Sequence, residues 1–132
     1  MKIPPQAIVY ITSRQIYAAS HRLYSEAFSA AENDEIYGKC ARDNGHGHNF
    51  ALEVTLRSQI DPKTGMLLNF RDMKKIIKSE IIDKVDHYHL NHDVDFLKDI
   101  IPTAENLSVI FWQVLQDKLP ANSLYEIKVI ET

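Results

Sequence analysis

Residues 48–58, HNFALEVTLRS, contain the clearest structural signal in the chain. Large apolar side chains alternate here with polar or small ones, and the large apolar ones fall on the even positions Phe50, Leu52, Val54 and Leu56. A period of two is what one face of a half-buried antiparallel strand requires. We therefore predict a strand whose even-numbered side chains turn toward a core.

The flanking sequence supplies the other predicted elements. Weaker alternation in QAIVYITSRQIYAAS (6–20) and SLYEIKVIE (123–131) predicts two more strands, and DPKTG (61–65) has the composition of a turn. Apolar residues at a spacing of 3.6 predict two helices. Asn69 can cap the start of the first and Thr103 that of the second, and Pro120 ends the second. Their apolar stripes are Phe70, Met73, Ile76, Ile77 and Ile81, and Leu107, Ile110, Phe111, Val114 and Leu115.

The order strand, strand, helix, helix, strand favours an α+β fold, with an antiparallel sheet that carries both helices on one face. At 132 residues the chain fits a single domain, residues 1–132. We find no internal repeat or linker that would divide it.

Composition limits the functions that the chain can have. The net charge is −3, from 15 basic and 18 acidic residues, and no basic run suited to nucleic acid occurs. One cysteine cannot form a disulfide within a monomer, and the first residues, MKIPPQAIVYITSRQIY, lack a long apolar segment. We expect no nucleic-acid partner, no membrane insertion and a cytoplasmic location.

The loop GKCARDNGHGHNF (38–50) leads into the clearest strand and is rich in reactive side chains. His46 and His48 share the parity of the core-facing residues, so an unbroken strand directs both imidazoles inward. Two such rings can bind one cation, and imidazole is a favoured zinc ligand, although most His-x-His pairs bind no metal. Gly45 and Gly47 allow the backbone to approach a ligand closely.

Two other segments contain candidate groups. KVDHYHLNHD (84–93) is either a polar loop or the source of a proton relay through Asp86 and a histidine, and its spacing does not identify the histidine. Glu131 is in phase with Tyr125, Ile127 and Val129, so its carboxylate either faces the core with a partner or lies in water at a frayed strand end.

Six fragments together resemble one protein family. In order they are YAASHRL (17–23), GKCARDNGHGHNF (38–50), IDPKTGM (60–66), VDH (85–87), PTAEN (102–106) and VIET (129–132). Their order and spacing are similar to those of 6-pyruvoyltetrahydropterin synthase and its bacterial relative 6-carboxytetrahydropterin synthase. The resemblance covers nearly the whole chain.

The resemblance implies a zinc site that spacing alone does not supply. His21, in the block ASHRL, would be the third zinc ligand beside His46 and His48, which leaves a fourth position open as catalytic zinc sites do. Cys40 would be the catalytic base. The alternative is that Cys40 is a fourth ligand that closes a structural site.

The resemblance also implies the remaining site residues. Asp86 and His87 would form the proton relay, Glu131 would anchor the pterin and take part in the relay, and Thr103 and Glu105 would contact the pterin across a subunit boundary. His89 and His92 match no role.

The activity implied is a zinc-dependent lyase reaction that eliminates triphosphate from 7,8-dihydroneopterin triphosphate with internal rearrangement of the side chain. Five residues between Cys40 and His46 favour the 6-pyruvoyl product. The alternatives are a 6-carboxytetrahydropterin synthase of queuosine biosynthesis and a non-catalytic pterin- or zinc-binding module. The family fold is the tunnelling fold, in which trimers close an antiparallel barrel and two trimers form a homohexamer.

Overall fold

A computed structural model describes all residues from 1 to 132. The strands are β1 (Ile8–His21), β2 (His46–Gln59), β3 (Tyr88–His89) and β4 (Leu124–Glu131). The α-helices are α1 (Ala30–Tyr37), α2 (Phe70–Ile77), α3 (Asp83–Val85) and α4 (Ala104–Gln116). A π-helical turn (Lys78–Ile82) joins α2 to α3, and two 3₁₀ turns cover Gly38–Ala41 and Asp95–Leu97. No helix has both the length and the apolar content needed to span a bilayer.

The four strands form one sheet in the order β3-β1-β2-β4. β1 pairs with β2, and β2 with β4, in antiparallel fashion, as predicted. The sheet is nevertheless mixed, because the two-residue β3 runs parallel to the end of β1 at Ala19 and Ser20. β3 was not predicted, because a strand of two residues is too short to leave a repeating pattern of apolar side chains.

The predicted faces are those observed, except that Phe70 and Tyr125 are exposed; Tyr125 lies beside a register shift between β2 and β4 that breaks the predicted alternation. The even residues of β2 from Phe50 to Leu56 are buried, and Tyr17 of β1 stacks on Phe50 with ring centroids 4.9 Å apart. α2 and α4 contribute to the same cluster through Met73, Ile77, Leu107, Phe111 and Leu115. Both predicted helices therefore cover one face of the sheet, and the fold is α+β.

The caps explain where the helices begin. Asn69 accepts a hydrogen bond from the N–H of Arg71, and Thr103 accepts one from the N–H of Asn106, so both predicted N-caps are present. The helix α1 was not predicted because it has no apolar stripe. It begins with a capping box between Ser29 and Glu32, a sequence signal that does not depend on hydrophobic period.

The sheet has two open edges. β4 is the last strand on one side, and on the other side β3 covers β1 only at Ala19 and Ser20. Most of the outer edge of β1 and the outer edge of β4 therefore offer unpaired backbone groups. Such edges are usually covered in a soluble assembly.

Candidate active site and metal centre

Three histidines meet at the end of the sheet where β1 finishes and β2 begins. The register pairs His21 with His46 and Ala19 with His48, so all three rings lie on the core side. Ring centroids are 4.5 Å apart for His46 and His48, 5.0 Å for His21 and His48, and 5.4 Å for His21 and His46. The Nε2 atoms of His46 and His48 are 3.0 Å apart.

Backbone carbonyls fix the orientation of two of these rings. The Nδ1 of His21 lies 3.0 Å from the carbonyl oxygen of Pro102, and the Nδ1 of His48 lies 2.7 Å from that of Thr132. A carbonyl only accepts, so each Nδ1 holds the proton and donates it. In the neutral ring the lone pair is then on Nε2, which is the arrangement that metal-binding histidines require.

His21 is the most enclosed of the three. Its side chain is fully buried, and its Nε2 has no hydrogen-bond partner. Burial lowers the pKa of His21, which favours the neutral ring, and the hydrogen bond to Pro102 and the charge of Glu131 oppose this effect. A buried nitrogen lone pair without a partner is costly, and a bound cation would satisfy it.

Potential ligating atoms form two groups that share His21. In one, His21, Cys40 and His46 offer atoms within 4.8 Å of one another, and in the other His21, His48 and Glu131 do so. The three predicted histidines thus converge together with a thiol on one side and a carboxylate on the other. Nitrogen, sulfur and oxygen donors of this kind suit zinc or another divalent transition metal, so the residues fit such an ion.

Cys40 lies on the 3₁₀ turn Gly38–Ala41 and is partly buried. The N–H of Leu23 donates to its carbonyl oxygen at 2.8 Å, which holds the turn against the chain that leaves β1. Burial, followed by the charge of Glu131, raises the pKa of the Cys40 thiol. The protein alone therefore disfavours the thiolate, and a neighbouring cation would have the opposite effect.

Arg22 was not singled out from the sequence, although it follows His21 directly. Its Nε donates to the carbonyl of Ala41 at 2.9 Å, and its Nη2 donates to Asp43 at 3.1 Å. The guanidinium also lies 4.1 Å from the centre of the Tyr24 ring. Arg22 thus ties the segment that carries Cys40 to the end of β1.

Asn91 was also missed, and it explains part of the histidine-rich segment. Its Oδ1 accepts from the N–H of Arg22 at 2.8 Å, and its Nδ2 donates to the carbonyl of Arg22 at 2.9 Å. The carboxamide therefore continues the pairing of β3 with β1 beyond Ser20, on the far side of His21. His89 and His92 stack on each other at 4.3 Å and belong to neither ligand group.

Asp86 and His87 form a pair at the end of α3. The Nδ1 of His87 lies 3.0 Å from Oδ1 of Asp86, and that oxygen accepts from the N–H of Ala18 at 2.9 Å. This backbone donor is the main reason why the pKa of Asp86 is lowered, although partial burial acts in the opposite direction. No hydrogen bond or ion pair joins either residue to Cys40 in the same chain.

His87 lines a groove of about 620 Å³. Ala18, Ser20, Gly47 and Asn49 also line this groove, and they have the parity opposite to that of the core-facing residues. The groove therefore lies mainly on the sheet face that turns away from the helices, although the core-side residues Ala19 and His48 also line it. The exposed His87 ring is presented to that face rather than to the core.

Thr103 and Glu105 lie at the start of α4. Thr103 caps the helix and is adjacent to Pro102, whose carbonyl orients His21. Glu105 is exposed in the first turn and makes no ion pair. Neither side chain hydrogen-bonds to the three histidines within the chain.

Comparisons with known proteins agree on one family. A sequence profile described as "6-pyruvoyl tetrahydropterin synthase" matches residues 10–132. The chain is 46% identical over 129 residues to the "6-pyruvoyl tetrahydrobiopterin synthase" of Poecilia reticulata, covering 98% of this chain and 88% of that protein. It is 44% identical over 122 residues to the human protein of the same name, covering 92% and 84%.

A solved structure supports the same relationship. The 6-pyruvoyl tetrahydropterin synthase of Caenorhabditis elegans superposes with a TM-score of 0.86 at 34% identity, covering 98% of this chain and 99% of that one.

Gly45 provides a test of how closely the loop must approach His21. Its φ is +66°, and a Cβ at this position would overlap the carbonyl oxygen of His21 and lie 2.9 Å from the carbonyl carbon. We expect Gly45→Ala to lower the free energy of unfolding and to weaken the binding of a divalent metal ion by the histidines. Urea denaturation and competition with a chelator measure the two effects.

Gly65→Ala is the matched control. Gly65 has a φ of +73° but no atom within 4 Å of an added Cβ, so only backbone strain of about 1–2 kcal/mol is expected. If both variants lose the same free energy of unfolding, the close approach of Gly45 to His21 is contradicted.

The lowered pKa of Asp86 predicts that the free energy of unfolding depends on pH. Its pKa is lower in the folded chain than the ordinary value of about 3.9, so its stabilising contribution is complete above that value and disappears as the pH falls through the folded pKa. In metal-free protein, Asp86→Ala should therefore lose stability at neutral pH, and the difference from wild type should shrink below about pH 4. Urea denaturation at several pH values measures it.

Asp34→Ala serves as the control for this measurement, because Asp34 is exposed on α1 and has no side-chain hydrogen bond or ion pair. If the difference in unfolding free energy between wild type and Asp86→Ala stays constant down to low pH, the pKa of Asp86 is not lowered in the folded chain.

Proposed function

Because the chain belongs to the 6-pyruvoyl tetrahydropterin synthase family, we propose that it eliminates triphosphate from 7,8-dihydroneopterin triphosphate to form 6-pyruvoyltetrahydropterin. The observation that carries the proposal is the convergence of His21, His46 and His48 with Cys40 and Glu131 at one end of the sheet. A mere pterin-binding module would not need a partly buried thiol beside three imidazoles.

We propose zinc as the metal and His21, His46 and His48 as its ligands. The Nε2 atoms would bind the metal through their lone pairs, because the Nδ1 atoms of His21 and His48 donate hydrogen bonds to carbonyls. A bound zinc ion would act as a Lewis acid toward oxygens of the substrate side chain and would fix their position.

The reaction needs proton transfers but no external oxidant. The side chain becomes a diketone, and the triphosphate departs with its bridging oxygen, leaving a methyl group. The dihydropterin ring is reduced to the tetrahydro form by hydrogens that the side chain gives up. Protons must therefore be removed from carbon atoms that bear hydroxyl groups, and these protons are only weakly acidic.

In this scheme Cys40 is the base that removes a proton from carbon. Its raised pKa in the metal-free chain means that a nearby cation is needed to favour the thiolate at neutral pH. Asp86 and His87 would return protons elsewhere on the side chain, with the Asp86 carboxylate orienting the imidazole. Glu131 would accept hydrogen bonds from pterin N–H groups.

We further propose that the site is completed between subunits of a homohexamer. No hydrogen bond or ion pair joins Asp86 or His87 to Cys40 of their own chain, and His87 lines the groove that lies mainly on the other face of the sheet. The open edges of β1 and β4 can pair between protomers to close a barrel. Thr103 and Glu105 would then contact a pterin held largely by a neighbouring subunit.

The comparisons favour the pyruvoyl product over the carboxy product. The relatives named as 6-pyruvoyl synthases reach 46% identity over 98% of the chain. A putative 6-carboxy-5,6,7,8-tetrahydropterin synthase of Archaeoglobus fulgidus is 35% identical over 71% of it.

The product decides between these activities. Purified protein loaded with zinc is incubated with 7,8-dihydroneopterin triphosphate, and the pterin product is identified by mass spectrometry. We expect the 6-pyruvoyl compound and free triphosphate. A 6-carboxy product with acetaldehyde would indicate the other synthase, and unchanged substrate would indicate a binding module.

Cys40→Ala separates the two roles considered for the thiol. A catalytic base can be removed without loss of the metal, so this variant should keep one zinc per chain and lose at least about a hundredfold in turnover. Zinc content is measured by elemental analysis. Loss of zinc together with activity would assign Cys40 to the metal, as in a closed structural site.

The assembly is tested by light scattering coupled to size-exclusion chromatography. We expect a mass of six chains. A fully active monomer would eliminate the shared site.

A further inference from the structure

Glu131 lies closer to the histidines than a residue that only anchors a pterin would need to. Its Oε1 is 3.0 Å from Nε2 of His48 and 3.5 Å from Nε2 of His21. The residue ends β4 and pairs with Phe50, so its carboxylate points to the core side of the sheet, where the three rings lie. Its side chain is 28% exposed, so one side of it can still be reached from solvent.

These distances fit the edges of a tetrahedron around one metal ion. Zinc bonds to nitrogen and oxygen of about 2.0–2.2 Å place neighbouring tetrahedral ligand atoms roughly 3.3–3.6 Å apart. The measured separations are 3.0 Å for His46 and His48, 3.0 Å for His48 and Glu131, and 3.5 Å for His21 and Glu131. The carboxylate oxygen is therefore at a ligand's distance from two of the ligands.

Hydrogen bonds among these groups do not account for the arrangement as well. The Nδ1 atoms of His21 and His48 already donate to carbonyls, so in neutral rings the Nε2 atoms have no proton to give to a carboxylate. Nε2 of His48 also lies 3.0 Å from two other groups, Nε2 of His46 and Oε1 of Glu131. A single proton points to one of them, whereas a cation between the atoms attracts all of them.

We propose that Glu131 is the fourth ligand of the metal while no pterin is bound, and that the substrate displaces it. The inference rests on the proposed function and adds to it a closed state of the same site. The carboxylate would keep water and other anions from the metal until a pterin offers N–H donors to its oxygens. Its release would open the fourth position to an oxygen of the substrate side chain.

Metal affinity gives the first test. Glu131→Gln keeps the size of the side chain but replaces a charged ligand with a weak neutral one. Zinc affinity, measured by competition with a chromophoric chelator, should fall by at least about tenfold, the lower end of what loss of even an outer-shell partner costs. Glu126→Gln, an exposed change on the same strand, should leave it unaltered. Equal affinity in wild type and Glu131→Gln would overturn the proposal.

The absorption spectrum of the cobalt-substituted protein gives a second test that does not depend on the variant's folding. Wild type should show intense visible bands of a four-coordinate site that change on addition of 7,8-dihydroneopterin and stay intense. An unchanged spectrum, or a loss of intensity indicating five ligands, would show that Glu131 is not displaced. A sulfur-to-cobalt charge-transfer band that Cys40→Ala abolishes would give the fourth position to Cys40 and likewise refute the proposal.

Failure of this inference can be told apart from failure of the proposed function. Turnover of 7,8-dihydroneopterin triphosphate by wild type tests the function alone, because it does not depend on which group occupies the fourth position beforehand. The affinity and the spectra test the ligand alone, because they need no turnover.

Discussion

The antiparallel register of β1 against β2 is the constraint on which the site depends. The two strands pair from Ile8 with Gln59 to His21 with His46, and this pairing puts the odd residues of one strand and the even residues of the other on the core face. A slip of one residue would turn every side chain of a strand to the opposite face. The apolar stretch that ends at Leu56 therefore determines where His46 and His48 point, since burial of that stretch fixes the parity for the whole strand.

Much of the fold could be predicted because long elements leave a repeating pattern. The three long strands, both amphipathic helices and the caps Asn69 and Thr103 were confirmed. Elements without a pattern were not predicted. β3 consists of two residues, and α1 depends on a capping box and on the buried Asn33, whose side chain makes hydrogen bonds to the backbone around Ser25. These elements are stabilised by hydrogen bonds between specific partners, and such hydrogen bonds leave no periodic pattern of apolar residues in the sequence.

The candidate site was predictable to a different degree. Parity directed His46 and His48 toward the core and left Glu131 either there or in water, whereas His21 as a ligand and the role of Cys40 came only from the family resemblance. The supporting contacts could not have been foreseen. Pro102 and Thr132 act through backbone carbonyls, and any residue type offers a carbonyl, so no side chain in the sequence marks their role. Arg22 and Asn91 act on backbone groups that only the folded chain brings near.

The two carbonyls that orient His21 and His48 come from segments that follow the histidines by 81 and 84 residues. Binding of the proposed ion would therefore depend on the correct packing of distant segments of the chain, and it would stabilise that packing. A ligand that binds only the folded form raises its stability in proportion to the logarithm of its free concentration, by about 2.7 kcal/mol at one hundred times the dissociation constant. If the proposed zinc ion is bound, the thermal stability of the protein would rise with the free zinc concentration, so that metal depletion would lower its stability as well as its activity.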